Sequence, residues 1–242
     1  MSMTEKRGSL ASVASAGIFI FLLVLQTGCR QMCEPTFEPQ RITLIRGTFQ
    51  TLFDGTSLDA WEKLDGTPAH WKLTGDGAME VTGGGDLRTK ASFGDCQLHI
   101  EWRTPEAVDP NIMNRGNSGV IFMGRYEVQV IDSNPDTIYA DGIAGAAYGQ
   151  NPPLVNVCRA PGEWQSFDII FYAPRWEGDT LLRQGCVTVL HNGVLIQDRW
   201  PLEGPTGHLA RAVQSPHANK LPLVLQSHGS PVRYRNIWVK AF

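Results

Sequence analysis

Glu127 and Gln129 alternate with Val128 and Val130 in the run Tyr126-Glu127-Val128-Gln129-Val130-Ile131. A strand there places a carboxyl and an amide on one face and two branched apolar side chains on the other. Two such polar groups in mid-strand need a wet or ligand-filled face. The pattern therefore points to a polar concave sheet surface of the kind that grips sugars, set against the plainer reading of an ordinary solvent face. The stretch before it, Asn117-Ser118-Gly119-Val120-Ile121-Phe122-Met123, reads as the preceding strand, turning at Gly124-Arg125. A second polar spacing occurs in Gln226-Ser227-His228-Gly229, where same-face spacing at a strand end directs Gln226 and His228 into one cleft, unless His228 only caps a turn. In Gln97-Leu98-His99-Ile100-Glu101-Trp102-Arg103, the residues His99, Glu101 and Arg103 share a charged face; a solvated Glu101–Arg103 pair accounts for that face equally well.

The elements that must carry these groups are strands. Runs over 49–53, 71–73, 78–81, 95–103, 119–123, 126–131, 165–172, 186–191, 194–197, 223–227 and 232–240 are punctuated by Asp54-Gly55, Gly75-Asp76-Gly77 and Gly83-Gly84-Gly85. This spacing predicts an all-β, two-sheet antiparallel sandwich with no long helix. His191-Asn192-Gly193-Val194 predicts a tight two-residue hairpin. The irregular segments 133–162 and 201–221 exceed ordinary connections, and loops of that length are usually functional or disordered. With 242 residues, 25 Gly, 15 Pro and 7 Trp, the chain suits one sandwich domain plus a leader. A net charge of -3, with no basic run interleaved with aromatics, argues against nucleic acid as a partner.

Lys6 and Arg7 precede an apolar stretch from Leu10 to Leu25 that ends in Gln26-Thr27-Gly28-Cys29, the order of an export signal. We read residues 1–28 as a lipoprotein-type signal peptide, with Cys29 lipidated after cleavage, 29–46 as a tether and 47–242 as the domain. Gln26 stands where an apolar residue is usual, and an uncleaved anchor or a plain secretory signal are the alternatives. The protein is thus expected to be exported and membrane-anchored through lipid, in the periplasm or at the cell surface. Cys33, Cys96, Cys158 and Cys186 remain; their spacing fits neither a redox pair nor a zinc ribbon, and no pairing can be read from it.

A series of short motifs follows in order: Leu52-Phe53-Asp54-Gly55-Thr56-Ser57-Leu58 with Trp61, Glu101-Trp102-Arg103, Asn117-Ser118-Gly119, Tyr126 to Asp132, Gly145-Ala146-Ala147-Tyr148, Gly162-Glu163-Trp164-Gln165, His191-Asn192-Gly193, Gln226-Ser227-His228-Gly229 and Arg235-Asn236-Ile237. Together they resemble the 3-keto-disaccharide hydrolase domain family over roughly Thr51 to Phe242. The resemblance implies a concanavalin- or laminarinase-like jelly roll and an enzyme that cleaves glycosides whose sugar carries a ketone at C3. Gln165 stands where the family more often has Asn, and 174–185 and 204–220 look like local elaborations that reshape a pocket rim.

The chemistry so implied is removal of the proton on C2, acidified by the ketone, followed by loss of the C1 substituent and addition of water. It calls for a base, an acid and a stabilised enolate oxygen. Glu127 and His228 are the candidate base and acid, in either order, and Gln129 and Arg103 the candidate oxyanion donors. Asn117, Ser118, Tyr148, Glu101, Asp132, Gln226 and His191 make up the candidate substrate-binding set, with Tyr148 a stacking platform; Trp164 is assigned to the core. No cofactor is fixed by these residues. A divalent metal ion is the one they could hold, with Glu127 and His228 as first candidates and Glu101, Asp132 and His191 as further donors. Gly-x-Ser-x-Gly is absent, which disfavours a serine hydrolase. The competing readings are a non-catalytic carbohydrate-binding jelly roll and, more weakly, a surface scaffold; oligomeric state stays open.

Overall fold

The computed structural model of the protein describes residues 48–242 apart from Val108, 135–137, Leu209, Arg211 and Ala212. The expected signal peptide, tether and Cys29 lie outside the described residues. Within them the chain is an antiparallel two-sheet jelly-roll sandwich with only two single-turn 3-10 segments.

The larger sheet runs β13 (Val194–Pro201), β12 (Cys186–His191), β9 (Gln165–Tyr172), β6 (Cys96–Arg103), β15 (Arg233–Ala241), β4 (Met79–Glu80) and β3 (Lys72–Leu73), with β1 (Phe49–Phe53) also paired to β15. The smaller sheet runs β2 (Trp61–Lys63), β5 (Leu87–Phe93), β14 (Leu221–Leu225), β7 (Ser118–Phe122) and β8 (Tyr126–Val130). A separate hairpin, β10 (Arg175–Glu177) with β11 (Thr180–Arg183), stands apart from both.

Strict alternation explains the layering. In β6, Leu98, Ile100 and Trp102 are buried between the sheets while His99, Glu101 and Arg103 face outward. In β7 and β8, Val120, Phe122, Val128 and Val130 face the larger sheet, where Phe122 stacks on Phe171 of β9 at 4.5 Å. Burying side chains of this size contributes about 1.5–3 kcal/mol each, so register is strongly fixed and the polar residues between them are forced to the outer face. The Asn192-Gly193 turn forms as expected, with φ of 52° and 81°, the double positive φ that suits a two-residue hairpin. Cys96, Cys158 and Cys186 are free thiols.

Candidate active site

Directly opposite Glu127 and Gln129 of β8 stand Ile121 and Gly119 of β7, so these four share the outer face of the smaller sheet. A pocket of about 450 Å³ opens over that face. Its floor is Ile121, Glu127, Gln129 and Gln226, and its walls come from Asn117, Tyr148, His208 and His228. Gly119 has no side chain to spare: a Cβ there would overlap Oε1 of Glu127. The glycine is what lets the carboxyl lie down on the sheet.

Loops are clamped to the free edge of β8 by backbone bonds. The amides of Gly145 and Tyr148 donate to the carbonyls of Gln129 (2.9 Å) and Glu127 (3.1 Å), and the amide of Gln129 donates to Ala146 at 3.0 Å. This pairing suspends Tyr148 beside the carboxyl. From the other long loop, Thr206 accepts from the Glu127 amide at 3.0 Å and donates its own amide to Arg125 at 2.6 Å, bringing His208 to the rim. There the Tyr148 hydroxyl bonds Tyr139 Oη at 2.7 Å and His208 Nδ1 at 2.8 Å, with its ring stacked parallel to the imidazole.

Glu127 is 7% exposed, and no donor among the described residues bonds its carboxyl. Burial, and after it the negative charge of Asp86, push the group from an ordinary 4.5 up to about 8. Asp86 itself accepts from the Ser227 amide at 2.8 Å. Gln129 donates to Asn117 Oδ1 over a long 3.4 Å, and its own Oε1 is buried without a donor. Asn117 is held by a 3.0 Å bond to the Met113 carbonyl. Burial, the Tyr139 bond and the nearby Glu127 and Asp141 raise the Tyr148 phenol, so it keeps its proton.

Of the residues singled out in the sequence, the pocket gathers Glu127, Gln129, His228, Gln226, Asn117 and Tyr148. Five others stand elsewhere. Glu101 and Arg103 share a face, as read, but it is the outer face of the larger sheet: Glu101 pairs with Arg235 at 2.6 Å and Arg103 with Asp76 at 3.1 Å. Parity told which residues lie together and not which sheet they lie on. Ser118 points inward and bonds the Gln226 carbonyl and Tyr234 Oη, both at 2.6 Å. His191 is 1% exposed, stacked on Trp102 and bonded through Nε2 to Gln165 at 2.8 Å; burial, then Arg159, lower its pKa to about 4. Asp132 is buried beyond the end of β8, where it accepts from the Asn134 amide, and does not line the pocket. Trp164 is half-buried rather than core, with the Arg235 guanidinium 3.9 Å above its ring.

No motif in the sequence singles out Asp86, Thr206 or His208. The long segment 201–221 was a signal for the latter two, and the triple glycine at 83–85 marks a turn beside Asp86 without marking its role. Of the metal candidates, Glu127 and His228 face the pocket, and among the described residues no three His, Cys, Asp or Glu side chains are grouped to hold an ion. Two protein donors fit an open, largely hydrated divalent ion rather than a closed site.

A family model described as the 3-keto-alpha-glucoside-1,2-lyase-like domain matches residues 48–240. A curated 3-keto-disaccharide hydrolase from Bacteroides thetaiotaomicron is 23% identical over 236 residues, covering 78% of this chain and 77% of that protein. A solved structure described as a candidate glycosyl hydrolase from Parabacteroides distasonis is 39% identical with a TM-score of 0.77, covering 80% of this chain and 84% of that one. A second from the same organism, 19% identical with a TM-score of 0.59, shares the fold.

Proposed function

The chain belongs to the 3-keto-alpha-glucoside-1,2-lyase-like domain family, and on that premise we propose that it cleaves 3-keto-glycosides by elimination across C1 and C2, completed by addition of water. The observation that carries this reading is Glu127: a buried carboxyl, with no donor to it among the described residues, at the floor of a sugar-sized pocket, with a pKa of about 8. A carboxylate of ordinary pKa is a weaker base toward a proton on carbon than one whose pKa is raised. Raising the pKa from 4.5 to about 8 strengthens the ionised form as a base while keeping it titratable near neutral pH.

Glu127 takes the C2 proton, and the charge moves to the C3 oxygen. The Gln129 amide, only loosely tied to Asn117 at 3.4 Å, and the imidazole of His228 donate to that oxygen. Asn117 and Gln226 orient the remaining hydroxyls. The enolate then expels the aglycone, and water adding to C1 regenerates a reducing 3-keto sugar. A divalent cation held by Glu127 and His228 would supply Lewis acidity at the ketone oxygen; every step above is carried by side chains.

The test is incubation with a chromogenic 3-keto-glucoside and its unoxidised parent, with and without chelator, following exchange of the C2 proton for deuterium. Release from the keto substrate alone, with C2 exchange, is expected. Equal release from the parent would overturn the elimination reading. Because the base must be ionised, kcat/KM should rise about tenfold per pH unit and level off near pH 8; a profile that falls through pH 8 would make Glu127 an acid instead.

We also propose that the protein is exported and anchored by lipid at Cys29. Mass spectrometry of the mature protein should find residues 1–28 removed and Cys29 acylated, and Cys29→Ser should release it from the membrane; an intact, unlipidated N-terminus would refute this.

A further inference from the structure

Elimination leaves one requirement unassigned: an alkoxide aglycone departs poorly unless a proton reaches it. Three groups at the rim form a continuous hydrogen-bonded chain, Tyr139 Oη to Tyr148 Oη at 2.7 Å and Tyr148 Oη to His208 Nδ1 at 2.8 Å. Tyr148 and His208 both line the pocket that holds Glu127. The Tyr148 amide is bonded to the Glu127 carbonyl at 3.1 Å, so the phenol rides on the strand of the base while standing on the wall rather than the floor. His208 is exposed and can draw protons from solvent. When His208 Nδ1–H and Tyr139 O–H both donate to the phenolic oxygen, the Tyr148 proton is free to turn into the pocket.

We infer that Tyr148 protonates the departing aglycone oxygen and that His208 is the positioning residue that orients the phenol and steadies the phenolate it becomes; this rests on the elimination reading above. The enolate electron pair re-forms the C3 ketone and makes the C1–C2 double bond. The C1–O bond breaks, its pair goes to the aglycone oxygen, and that oxygen takes the phenolic proton. The Tyr148 oxygen is left as a phenolate, held by the Tyr139 O–H and the His208 Nδ1–H. In hydration the path reverses: water adds at C1 and gives its proton to the Tyr148 phenolate, while Glu127 returns its proton to C2. Each group ends as it began.

Leaving-group dependence separates this role from binding or structure. Nitrophenolate leaves without a proton; methoxide does not. Tyr148→Phe and His208→Asn should slow cleavage of methyl 3-keto-glucoside by about 100-fold or more, and by at least about tenfold more than they slow release from 4-nitrophenyl 3-keto-glucoside. Exchange of the C2 proton should persist in both variants, and circular dichroism should report the native fold. Equal slowing of both substrates, or no slowing of the methyl glycoside, would overturn the assignment. A native protein that neither exchanges C2 nor cleaves either substrate would overturn the elimination reading, and this inference with it.

Discussion

Glu127 carries a cost that the fold does not need. Its folded pKa of about 8 lies above the ordinary 4.5 of an unfolded chain, so between those values the folded state holds a proton that the unfolded state has released. The stabilising contribution of the neutral carboxyl is therefore full below about pH 4.5 and is lost as pH rises to about 8. Glu127→Gln keeps the shape and removes the titration. It should lower activity on a 3-keto-glucoside by about 10²- to 10⁴-fold, yet leave the protein more stable at pH 8 by a few kcal/mol at most, in order of magnitude. Urea unfolding of both proteins at pH 8 and pH 4.5 checks the pair; a variant that is inactive and less stable at pH 8 would mean that the carboxyl holds the fold together. Ser118 shows the opposite pattern, a polar group whose bonds to Tyr234 and the Gln226 carbonyl are made inside the core, while His191 bonds Gln165 through Nε2 and keeps a buried Nδ1 with no partner among the described residues.

At the scale of elements, what was legible followed burial. The alternation in β6, β9 and β12 is clean because each has one face in the core and one outside, and the Asn192-Gly193 turn announces itself by composition. What was not legible lacked that contrast. β5 sits inside the smaller sheet between β2 and β14, but its inward residues include Thr89, whose hydroxyl donates to the Ala91 carbonyl, so Leu87 to Phe93 reads as a polar run and nothing marks Asp86 just before it. The β10–β11 hairpin has no buried face at all. The β7–β8 pair also yields a prediction about the site. Gly119→Ala would press a methyl onto the end of the Glu127 side chain rather than onto backbone, so the strand pair should survive while the carboxyl is displaced. A shift of about 1 Å can cost roughly 100-fold in rate. Kinetics beside a thermal melt will decide: an unchanged melting temperature with sharply reduced kcat/KM is expected, whereas full activity would show that the seat over Gly119 is not required.

For the whole molecule, two buried groups on different sheets set opposite limits on stability. His191 in the larger sheet has a folded pKa of about 4, below the ordinary 6.5; its contribution is present above pH 6.5 and is lost as pH falls to about 4. Glu127 in the smaller sheet loses its contribution as pH rises from about 4.5 to about 8. Between about pH 4.5 and 6.5 the two slopes oppose each other, so stability should be nearly flat there and decline on both sides. Carboxyls such as Asp76, Asp95 and Glu101, held below their ordinary values in part by bonds to arginines or neighbouring side chains, add to the acid decline at lower pH. The activity expected of Glu127 rises to about pH 8, so the protein should work best where it is not most stable. Unfolding free energies measured across pH 4 to 8 on the native chain, Glu127→Gln and His191→Gln test this directly. The first variant should flatten the alkaline limb only, and the second the acid limb only. If either substitution shifts the whole curve without altering its slope, the corresponding group does not titrate in the folded protein as its burial implies.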